Sequence, residues 1–259
     1  MDEKGICRLG VIPVRSEPSD RSEMTSQLLF GEHYSVLEIS SNGKWKRIRN
    51  HFDQYEGWID ATQFYGISPE YFEQINNSEY KICTDLVSTI LFRKSTLQIV
   101  IGSILPLSQN ELFKLDEQLA FNGESKSLGQ KREFEFLRQI ACKYLNAPYL
   151  WGGRSPFGID CSGFTQVVFR ICGYALMRDS SQQEQQGMRV DGTEAMKPGD
   201  LAFFSNEKGT VTHTGIVLED QKIIHASGKV KIDKLDDTGI YVEELRDYSH
   251  KLHSIKRIL

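Results

Sequence analysis

The sequence has 259 residues and a formal net charge of −4, from 31 basic and 35 acidic side chains. A chain of this length can form one large domain or two to three small ones. Hydrophobic residues at 39% and charged residues at 25% are ordinary for a soluble globular protein. No apolar run approaches the ~20 residues that span a bilayer, and no basic excess attracts nucleic acid. We therefore expect neither a membrane nor nucleic acid as a partner.

The N-terminus and the cysteines indicate the compartment. The opening MDEKGICRLG is acidic and lacks the basic start, apolar stretch and cleavage site of a secretory signal, so we predict a cytoplasmic protein. A signal peptide trimmed from this sequence would make it an exported one. The five cysteines are odd in number and include no CxxC pair, which argues against a disulfide framework and a zinc site. We expect neither a metal ion nor another cofactor.

Short β-type runs separated by polar turns occupy residues 9–65. These runs cover residues 11–14, 34–39, 45–49 and 57–59. The pair Asn42-Gly43 lies between the second and third runs and is a strong hairpin signal. The pattern predicts a small antiparallel barrel over residues 1–67.

A polar connector at residues 68–79 leads to a second β-rich stretch. Its apolar runs cover residues 90–92, 97–101, 104–105 and 112–113, and they are interrupted by Gly102 and Pro106. We interpret residues 79–127 as a second, degenerate barrel. Residues 122–130 are polar and contain glycine, as linkers do, so we place a domain boundary near residue 130.

The third part of the chain, residues 131–259, begins with a predicted helix over residues 131–146. The stretch PYLWGGRSPFGIDCSGF follows and contains Cys161. After Cys161, apolar residues recur at helical spacing, at Phe164, Val167, Val168 and Ile171. Cys161 therefore lies where a loop becomes a helix, and the positive end of the helix dipole predicts a lowered thiol pKa and a nucleophile. The alternative is an inert buried cysteine.

Two histidines follow on predicted strands of an antiparallel sheet. His213 lies in TVTHTGIVL and His225 lies in KIIHAS. A cysteine nucleophile needs a general base, and the base needs a third group that orients its ring. A two-residue turn between the strands would put the rings on opposite faces, whereas a three-residue loop at residues 219–221 would put them diagonally on one face. The alternative for each histidine alone is a structural residue.

Six motifs occur in the order found in one family of enzymes. They are PYLWGG, DCSGF, RDSSQQ, KPGDLAFF, THTGIVL and IIHAS. Residues 131–259 thereby resemble the NlpC-type cysteine peptidases, which are papain-like enzymes that cut bacterial cell-wall peptides. The resemblance implies Cys161 as nucleophile, His213 as base and His225 as the group that orients His213. It also implies that Tyr149 helps to stabilise the oxyanion; the alternative for Tyr149 is a buried, hydrogen-bonded core residue. We expect Trp151 to line the wall of the cleft.

Residues 11–15, 30–32, 45–49 and 57–59 (VIPVR, FGE, WKRIR and GWI) resemble the bacterial Src-homology-3-like barrel. The expected fold class is therefore α+β, with a papain-like NlpC-type catalytic domain at residues 131–259 preceded by two small all-β Src-homology-3-like barrels.

Two features narrow the resemblance to one branch. Many family members have Arg-Thr-Ser where this chain has Arg178-Asp179-Ser180, and barrels precede the peptidase domain. Both features resemble the γ-D-glutamyl-L-diamino acid endopeptidases of the dipeptidyl-peptidase VI type. These enzymes require a free N-terminal L-Ala, whose ammonium Asp179 can pair with by a charge-assisted hydrogen bond. The alternative for Asp179 is a helix N-cap followed by Ser180.

The same branch implies further substrate contacts. Asp160, Ser162 and Ser180 belong to the expected substrate-binding set, with Asp160 and Ser162 on the D-glutamyl part. In the first barrel, Glu23 and Tyr55 correspond by motif to the residues that reach the L-Ala amine. A solvated surface charge and a turn residue, respectively, are the alternatives for these two.

The expected reaction is hydrolysis of the bond between γ-D-Glu and the L-diamino acid in murein peptides, in the recycling of cell-wall fragments. The expected substrates are L-Ala-γ-D-Glu-L-Lys or L-Ala-γ-D-Glu-diaminopimelate. The alternatives are a non-catalytic protein that binds cell-wall peptides and a cell-wall endopeptidase of broader specificity. A Cys/His metal site is a third alternative, although the spacing of its ligands fits no compact zinc motif.

Overall fold

The structure is a computed structural model that describes residues 3–77, 79–105 and 119–259. The chain forms two compact units. Unit 1 comprises Met1–Gln130 and Trp151–Pro156, and unit 2 comprises Lys131–Leu150 and Phe157–Leu259. Within the described ranges, every helix is too short or too polar to cross a membrane. The His, Cys, Asp and Glu side chains of those ranges form no group of three or more that is arranged to hold a metal ion.

The first part of unit 1 is a seven-stranded antiparallel sheet with strand order β3-β2-β6-β5-β4-β1-β7. Its strands are β1 (Lys4–Ile6), β2 (Val11–Arg15), β3 (Met24–Leu29), β4 (His33–Ile39), β5 (Trp45–Asn50), β6 (Glu56–Asp60) and β7 (Gly66–Ile67). A 3-10 turn, Ala61–Gln63, follows β6. The four runs predicted here are confirmed as strands β2, β4, β5 and β6. Alternate residues of β2 are buried, because one face of the strand packs on the core.

Helix α1 (Pro69–Asn76) occupies most of the connector predicted at residues 68–79. The helix begins with an N-cap: the Ser68 side chain accepts a hydrogen bond from the Tyr71 N–H, and Pro69 takes the first helical position. Phe72 and Ile75 are the buried residues of this helix. The polar composition of the connector concealed a helix that buries only one narrow stripe.

The rest of the β-rich part of unit 1 is two three-stranded sheets, with orders β10-β9-β12 and β11-β8-β13. The strands are β8 (Lys81–Cys83), β9 (Val87–Phe92), β10 (Ser95–Val100), β11 (Ile104–Leu105), β12 (Leu119–Asn122) and β13 (Ser125–Ser127). The run predicted at residues 112–113, with Pro106, lies outside the described residues. Strand β13 falls inside the predicted linker at residues 122–130, which is therefore partly ordered as a strand.

The segment Trp151–Pro156 joins unit 1 through a buried arginine. Strand β14 (Arg154–Ser155) lies in this segment. The Arg154 guanidinium donates to both carboxylate oxygens of Glu32, at 2.8 and 2.9 Å, and both side chains are almost fully buried. The Arg154 N–H donates to the Gln27 side chain at 2.7 Å. Gly152 has φ +75°, and a Cβ there would lie 2.2 Å from the Met24 carbonyl oxygen, so only glycine fits.

Unit 2 combines three helices with a seven-stranded sheet of order β16-β22-β17-β18-β19-β20-β21. A further pairing of β21 with β22 closes six of these strands into a barrel. The helices and the first short strand are α2 (Phe134–Lys143), β15 (Gly158–Ile159), α3 (Cys161–Ile171) and α4 (Ser180–Gln183). The sheet strands are β16 (Met188–Val190), β17 (Leu201–Ser205), β18 (Val211–Leu218), β19 (Lys222–Ser227), β20 (Lys229–Leu235), β21 (Gly239–Val242) and β22 (Asp247–Arg257). A 3-10 turn, Thr193–Ala195, precedes β17.

Helix α3 is buried along its whole length and packs against β18 and β19. Its fully buried side chains include Phe164 and Phe169, and burying such a side chain contributes about 1.5–3 kcal/mol. A second core fills the barrel with Val217, Ile223 and other apolar residues of the strands. The two cores fix the N-terminus of α3 beside the strands that carry the histidines.

Candidate active site

Asp160 positions the start of helix α3 and with it Cys161. The Asp160 side chain is the N-cap and accepts a hydrogen bond of 2.7 Å from the Gly163 N–H. Cys161 is the first residue of the helix, as predicted, and is 5% exposed. Its Sγ lies 4.0 Å from the carbonyl oxygen of Thr212, the residue just before His213. The helix terminus and strand β18 therefore meet at the thiol.

The prediction that the helix terminus lowers the pKa of Cys161 is wrong. Burial raises the pKa of the thiol to about 12, and the negative charge of Asp160 adds to the effect. The helix dipole does favour an anion at this point. However, the Asp160 carboxylate already occupies the anion position at the same helix end, so a thiolate there meets a like charge in a desolvated environment.

A buried ion pair holds Asp160. Nη2 of Arg178 lies 2.6 Å from Oδ2 of Asp160, and Nη1 donates to Oδ1 at 3.1 Å. Nη1 also donates to the Ser162 hydroxyl at 2.9 Å. Arg178 is 1% exposed and Asp160 is 6% exposed. The geometry is the bidentate fork that compensates the desolvation of both charges, and Arg178 is a structural contributor that the sequence analysis did not assign.

His213 and His225 lie on adjacent antiparallel strands joined by the three-residue loop at residues 219–221. In the register, Gly215 faces His225 and Leu218 faces Lys222. His213 is thus diagonal to His225 on one face, which is the arrangement that the triad requires. Nε2 of His213 lies 2.8 Å from Nδ1 of His225, and both residues are buried.

Gly215 provides the room for this contact. It lies between His213 and Val217 on β18 and directly opposite His225. A Cβ at Gly215 would lie 2.8 Å from Cβ of His225 and 2.8 Å from Cδ1 of Ile223. The missing side chain lets the His225 ring lie close to β18 and reach His213.

Strands β20 and β22 add residues that sequence reasoning missed. Oδ2 of Asp233 lies 2.9 Å from Nε2 of His225 and 2.8 Å from Nζ of Lys231. The His250 ring stacks on that of His213, with ring centroids 4.0 Å apart. The period-2 alternation of KVKIDKL places Lys231 and Asp233 on one face, but it does not indicate that this face is turned toward the histidines.

The histidines of this cluster are held neutral at neutral pH. Burial and the neighbouring His225, His250 and Lys231 hold the pKa of His213 well below 6.5. Burial also lowers the pKa of His225, although its hydrogen bond to Asp233 opposes the change. Burial lowers the pKa of His250 to about 4. The resting cluster therefore contains neutral imidazoles beside a protonated thiol.

Tyr149 and Asp179 lie in unit 2 with the cluster. Burial raises the pKa of Tyr149 to about 12, and the negative charge of Asp160 adds to the effect, so its hydroxyl is a proton donor at neutral pH. Asp179 is half-buried at the N-cap position of α4, and its N–H donates to the Gln182 side chain at 3.2 Å. Ser180, the first residue of α4, is 9% exposed.

Unit 1 contains the other three predicted site residues. The Trp151 indole N–H donates to the Glu23 carboxylate, so the structure brings these two together. Trp151 is 59% exposed. Tyr55 lies on the turn between β5 and β6, and its N–H donates to the Asp53 side chain at 3.1 Å.

Comparison with known families identifies both parts of the chain. Residues 146–247 match the NlpC/P60 family. Residues 14–64 match the bacterial dipeptidyl-peptidase Sh3 domain.

Similar proteins match most of the chain. A gamma-D-glutamyl-L-lysine dipeptidyl-peptidase of Bacillus subtilis (strain 168) is 30% identical over 242 residues, which covers 85% of this chain and 78% of that protein. A dipeptidyl-peptidase 6 of Lysinibacillus sphaericus is 25% identical, covering 86% of this chain and 88% of that protein. The crystal structure of an NlpC/P60 family protein from Bacillus cereus ATCC 10987 superposes with a TM-score of 0.79 at 21% identity, over 99% of both chains.

The α+β unit with a cysteine at a helix N-terminus beside strand histidines has the papain-like fold, preceded by an all-β Src-homology-3-like region, and the predicted fold class is confirmed. The chain belongs to the NlpC/P60 family of cysteine peptidases.

Proposed function

We propose that this chain hydrolyses the bond between γ-D-Glu and the L-diamino acid in murein peptides that begin with a free L-Ala, in the recycling of cell-wall fragments. The observation that carries the proposal is the hydrogen-bonded pair His213–His225 on the strand pair beside the Cys161 thiol. Relatives named gamma-D-glutamyl-L-lysine dipeptidyl-peptidases match across most of this chain, which supports the choice of bond and favours lysine as the diamino acid.

The first step uses His213 as a general base. Because the pKa of the thiol is raised to about 12 and that of His213 is lowered, a preformed thiolate–imidazolium pair is not the resting state. The Cys161 proton passes to His213 as Sγ attacks the γ-carbonyl carbon of D-Glu. The C–S bond forms, and the carbonyl π electrons move to the oxygen.

The oxyanion needs donors at the place where its charge develops. We assign the Tyr149 hydroxyl and the backbone N–H of Cys161 at the start of α3 to this role. Tyr149 suits it because its raised pKa keeps the proton on the hydroxyl. We assign Trp151 to the wall of the cleft.

The second step releases the products. The imidazolium of His213 donates its proton to the leaving amine of the diamino acid as the C–N bond breaks, which leaves a thioester on Cys161. Water then attacks the thioester carbonyl while His213 takes its proton, and the thiolate leaves and is reprotonated. His225 accepts a hydrogen bond from His213 throughout and keeps the ring oriented.

Specificity for a free amine rests on acidic side chains. Asp179 is half-buried at its helix terminus, and a carboxylate there can pair with the L-Ala ammonium. We assign Glu23 and Tyr55 to the same amine by resemblance to the branch. Asp160, Ser162 and Ser180 complete the proposed substrate set, with Asp160 and Ser162 on the D-glutamyl part.

The test is incubation of the chain with L-Ala-γ-D-Glu-L-Lys, its diaminopimelate counterpart and N-acetylated forms of both, with products followed by mass. We expect release of the diamino acid from the free-amine peptides and none from the acetylated peptides. Equal cleavage of the acetylated peptides would overturn the requirement for a free N-terminus. The Cys161→Ala variant is the control and must release nothing.

A further inference from the structure

Beyond the two histidines, the side-chain cluster continues to a carboxylate on the next strand. The register of β19 and β20 places His225 opposite Lys231. Asp233, two residues further along β20, is therefore diagonal to His225 on the same face. Oδ2 of Asp233 contacts Nε2 of His225 at 2.9 Å and Nζ of Lys231 at 2.8 Å. His213, His225 and Asp233 thus form one chain of hydrogen bonds across three neighbouring strands.

The charge state of Asp233 determines the proton positions along this chain. Burial alone would raise the pKa of Asp233, but the hydrogen bonds from His225 and Lys231 outweigh it and hold the pKa below its usual value. A carboxylate can only accept a hydrogen bond, so Nε2 of His225 must carry a proton. His225 is neutral, and its Nδ1 therefore has a free lone pair that faces His213.

The same logic fixes His213. Nδ1 of His225 can only accept, so Nε2 of His213 must be the donor across the 2.8 Å contact. A neutral imidazole carries one proton, which leaves Nδ1 of His213 as the basic nitrogen. A general base for the Cys161 thiol needs such a lone pair. Without Asp233, each ring can adopt either of two tautomers. In one of the two, Nδ1 of His213 carries the proton and cannot act as a base.

We propose that Asp233 is a positioning residue that fixes the tautomers of His225 and His213 and so keeps Nδ1 of His213 free to accept the Cys161 proton. The proposal rests on the proposed function for the roles of Cys161 and His213. During the reaction a positive charge develops on His213. The negative charge of Asp233 acts on it across the intervening ring of His225. Its side chain is only 12% exposed, so its charge is little screened by solvent.

Other groups around His213 do not substitute for Asp233. The His250 ring stacks on His213 face to face and its Nδ1 contacts the Ser249 hydroxyl at 2.8 Å. The Phe204 ring is tilted against His213, with centroids 5.8 Å apart. Lys231 is a cation and cannot accept a hydrogen bond from His225. In the described part of the chain, Asp233 is the carboxylate in hydrogen-bond contact with this histidine pair.

The decisive variant is Asp233→Asn, which nearly preserves shape and removes the charge. A neutral amide can present either its oxygen or its NH₂ to Nε2 of His225, so it no longer requires a proton there. Whenever the NH₂ faces Nε2, the proton moves to Nδ1 of His225 and the His213 proton moves to its own Nδ1. We expect kcat on the tripeptide to fall roughly 10- to 100-fold, as for other residues that orient a functional histidine, with KM little changed. The matched control is Glu243→Gln, which also converts a carboxylate to its amide and breaks the exposed ion pair of Glu243 with Lys234 on β20. This control should retain full kcat.

A second measurement needs neither the variant nor activity. Long-range ¹⁵N–¹H correlation spectra of the ¹⁵N-histidine-labelled wild-type chain report which ring nitrogen of each of the six histidines carries a proton. We expect Nε2–H for both His225 and His213 at neutral pH, and a mixture or the Nδ1–H form in Asp233→Asn. Nδ1–H on either ring in the wild type, or wild-type kcat in an Asp233→Asn variant whose spectra show the Nδ1–H form, would overturn the proposal. If the wild-type chain cleaves no peptide, the proposed function fails while the spectra still decide the role of Asp233.

Discussion

Replacing Gly215 by alanine tests whether the contact between the two histidines matters to the activity. The added methyl group would lie 2.8 Å from Cβ of His225, about 0.6 Å closer than the 3.4 Å at which ordinary contact begins. The methyl group cannot shift to relieve this contact, because Cδ1 of Ile223 is also 2.8 Å from the same position. His225 must therefore move away from β18 by several tenths of an ångström, which lengthens its 2.8 Å contact with His213 beyond a good hydrogen bond.

The expected magnitude follows from this displacement. A misplacement of about 1 Å in a catalytic group can cost ~10²-fold in rate, so we expect kcat/KM for the tripeptide to fall roughly 10- to 100-fold in Gly215→Ala. Overpacking should also cost about 1–3 kcal/mol of stability. The assay is steady-state release of the diamino acid, with chemical unfolding measured alongside.

The matched control is Gly129→Ala. Gly129 is exposed, and a Cβ there meets nothing within 4 Å, so this variant should keep wild-type kcat/KM and stability. An altered unfolding midpoint in Gly215→Ala would show that the methyl group perturbs the packing. If kcat/KM nevertheless stayed at the wild-type value, the idea that the His213–His225 contact supports the base would be refuted.

Three further predictions concern other parts of the site. Because the pKa of His213 lies well below 6.5, the neutral base form persists as the pH falls through 6.5. We therefore expect kcat/KM to stay flat between about pH 6 and 8. A loss of kcat/KM on the acidic side with a midpoint at or above pH 6.5 would contradict the lowered pKa of His213. Arg178→Met leaves Asp160 buried without its cation, and urea unfolding should show a loss of about 3–5 kcal/mol, whereas an unchanged midpoint would mean that the ion pair contributes nothing. Tyr149→Phe removes a proposed oxyanion donor and should lower kcat on the tripeptide by roughly 10²-fold with little change in KM; an unchanged kcat would remove Tyr149 from that role.

The sequence was sufficient to find the residues whose local pattern is strong. Cys161 stands at the start of a helix with clear apolar periodicity, and His213 and His225 lie on strands with a short loop between them. These elements are confirmed. The strands of the first β region were also predictable, because alternating burial leaves a visible alternation in the sequence.

The sequence was insufficient where a polar segment takes a buried role. Strand β20 contains three lysines and one aspartate, and its Ile232 is 40% exposed while Asp233 turns toward His225. An ordinary reading of alternation puts the apolar residue inside and the charges outside, so it gives the wrong face here. Ser68-Pro69 carries the start signal of α1, but the polar composition of the segment is typical of a connector.

The sequence alone also does not show that the pKa of the Cys161 thiol is raised. A helix N-terminus favours a new anion only when no other anion already lies there and the position is solvated. Asp160 precedes Cys161 in the sequence, but the sequence does not show whether its carboxylate points to solvent or caps the helix. The structure shows that it caps the helix and pairs with buried Arg178. The sum of burial and like charge follows from tertiary packing, which no local pattern encodes.

Hydrolysis of L-Ala-γ-D-Glu-L-Lys by the wild-type chain, followed by mass, tests the central claim most directly. We predict L-lysine and the dipeptide L-Ala-γ-D-Glu as the products, with no release by Cys161→Ala. An intact tripeptide after incubation with the wild type, or the same products from Cys161→Ala, would contradict the account.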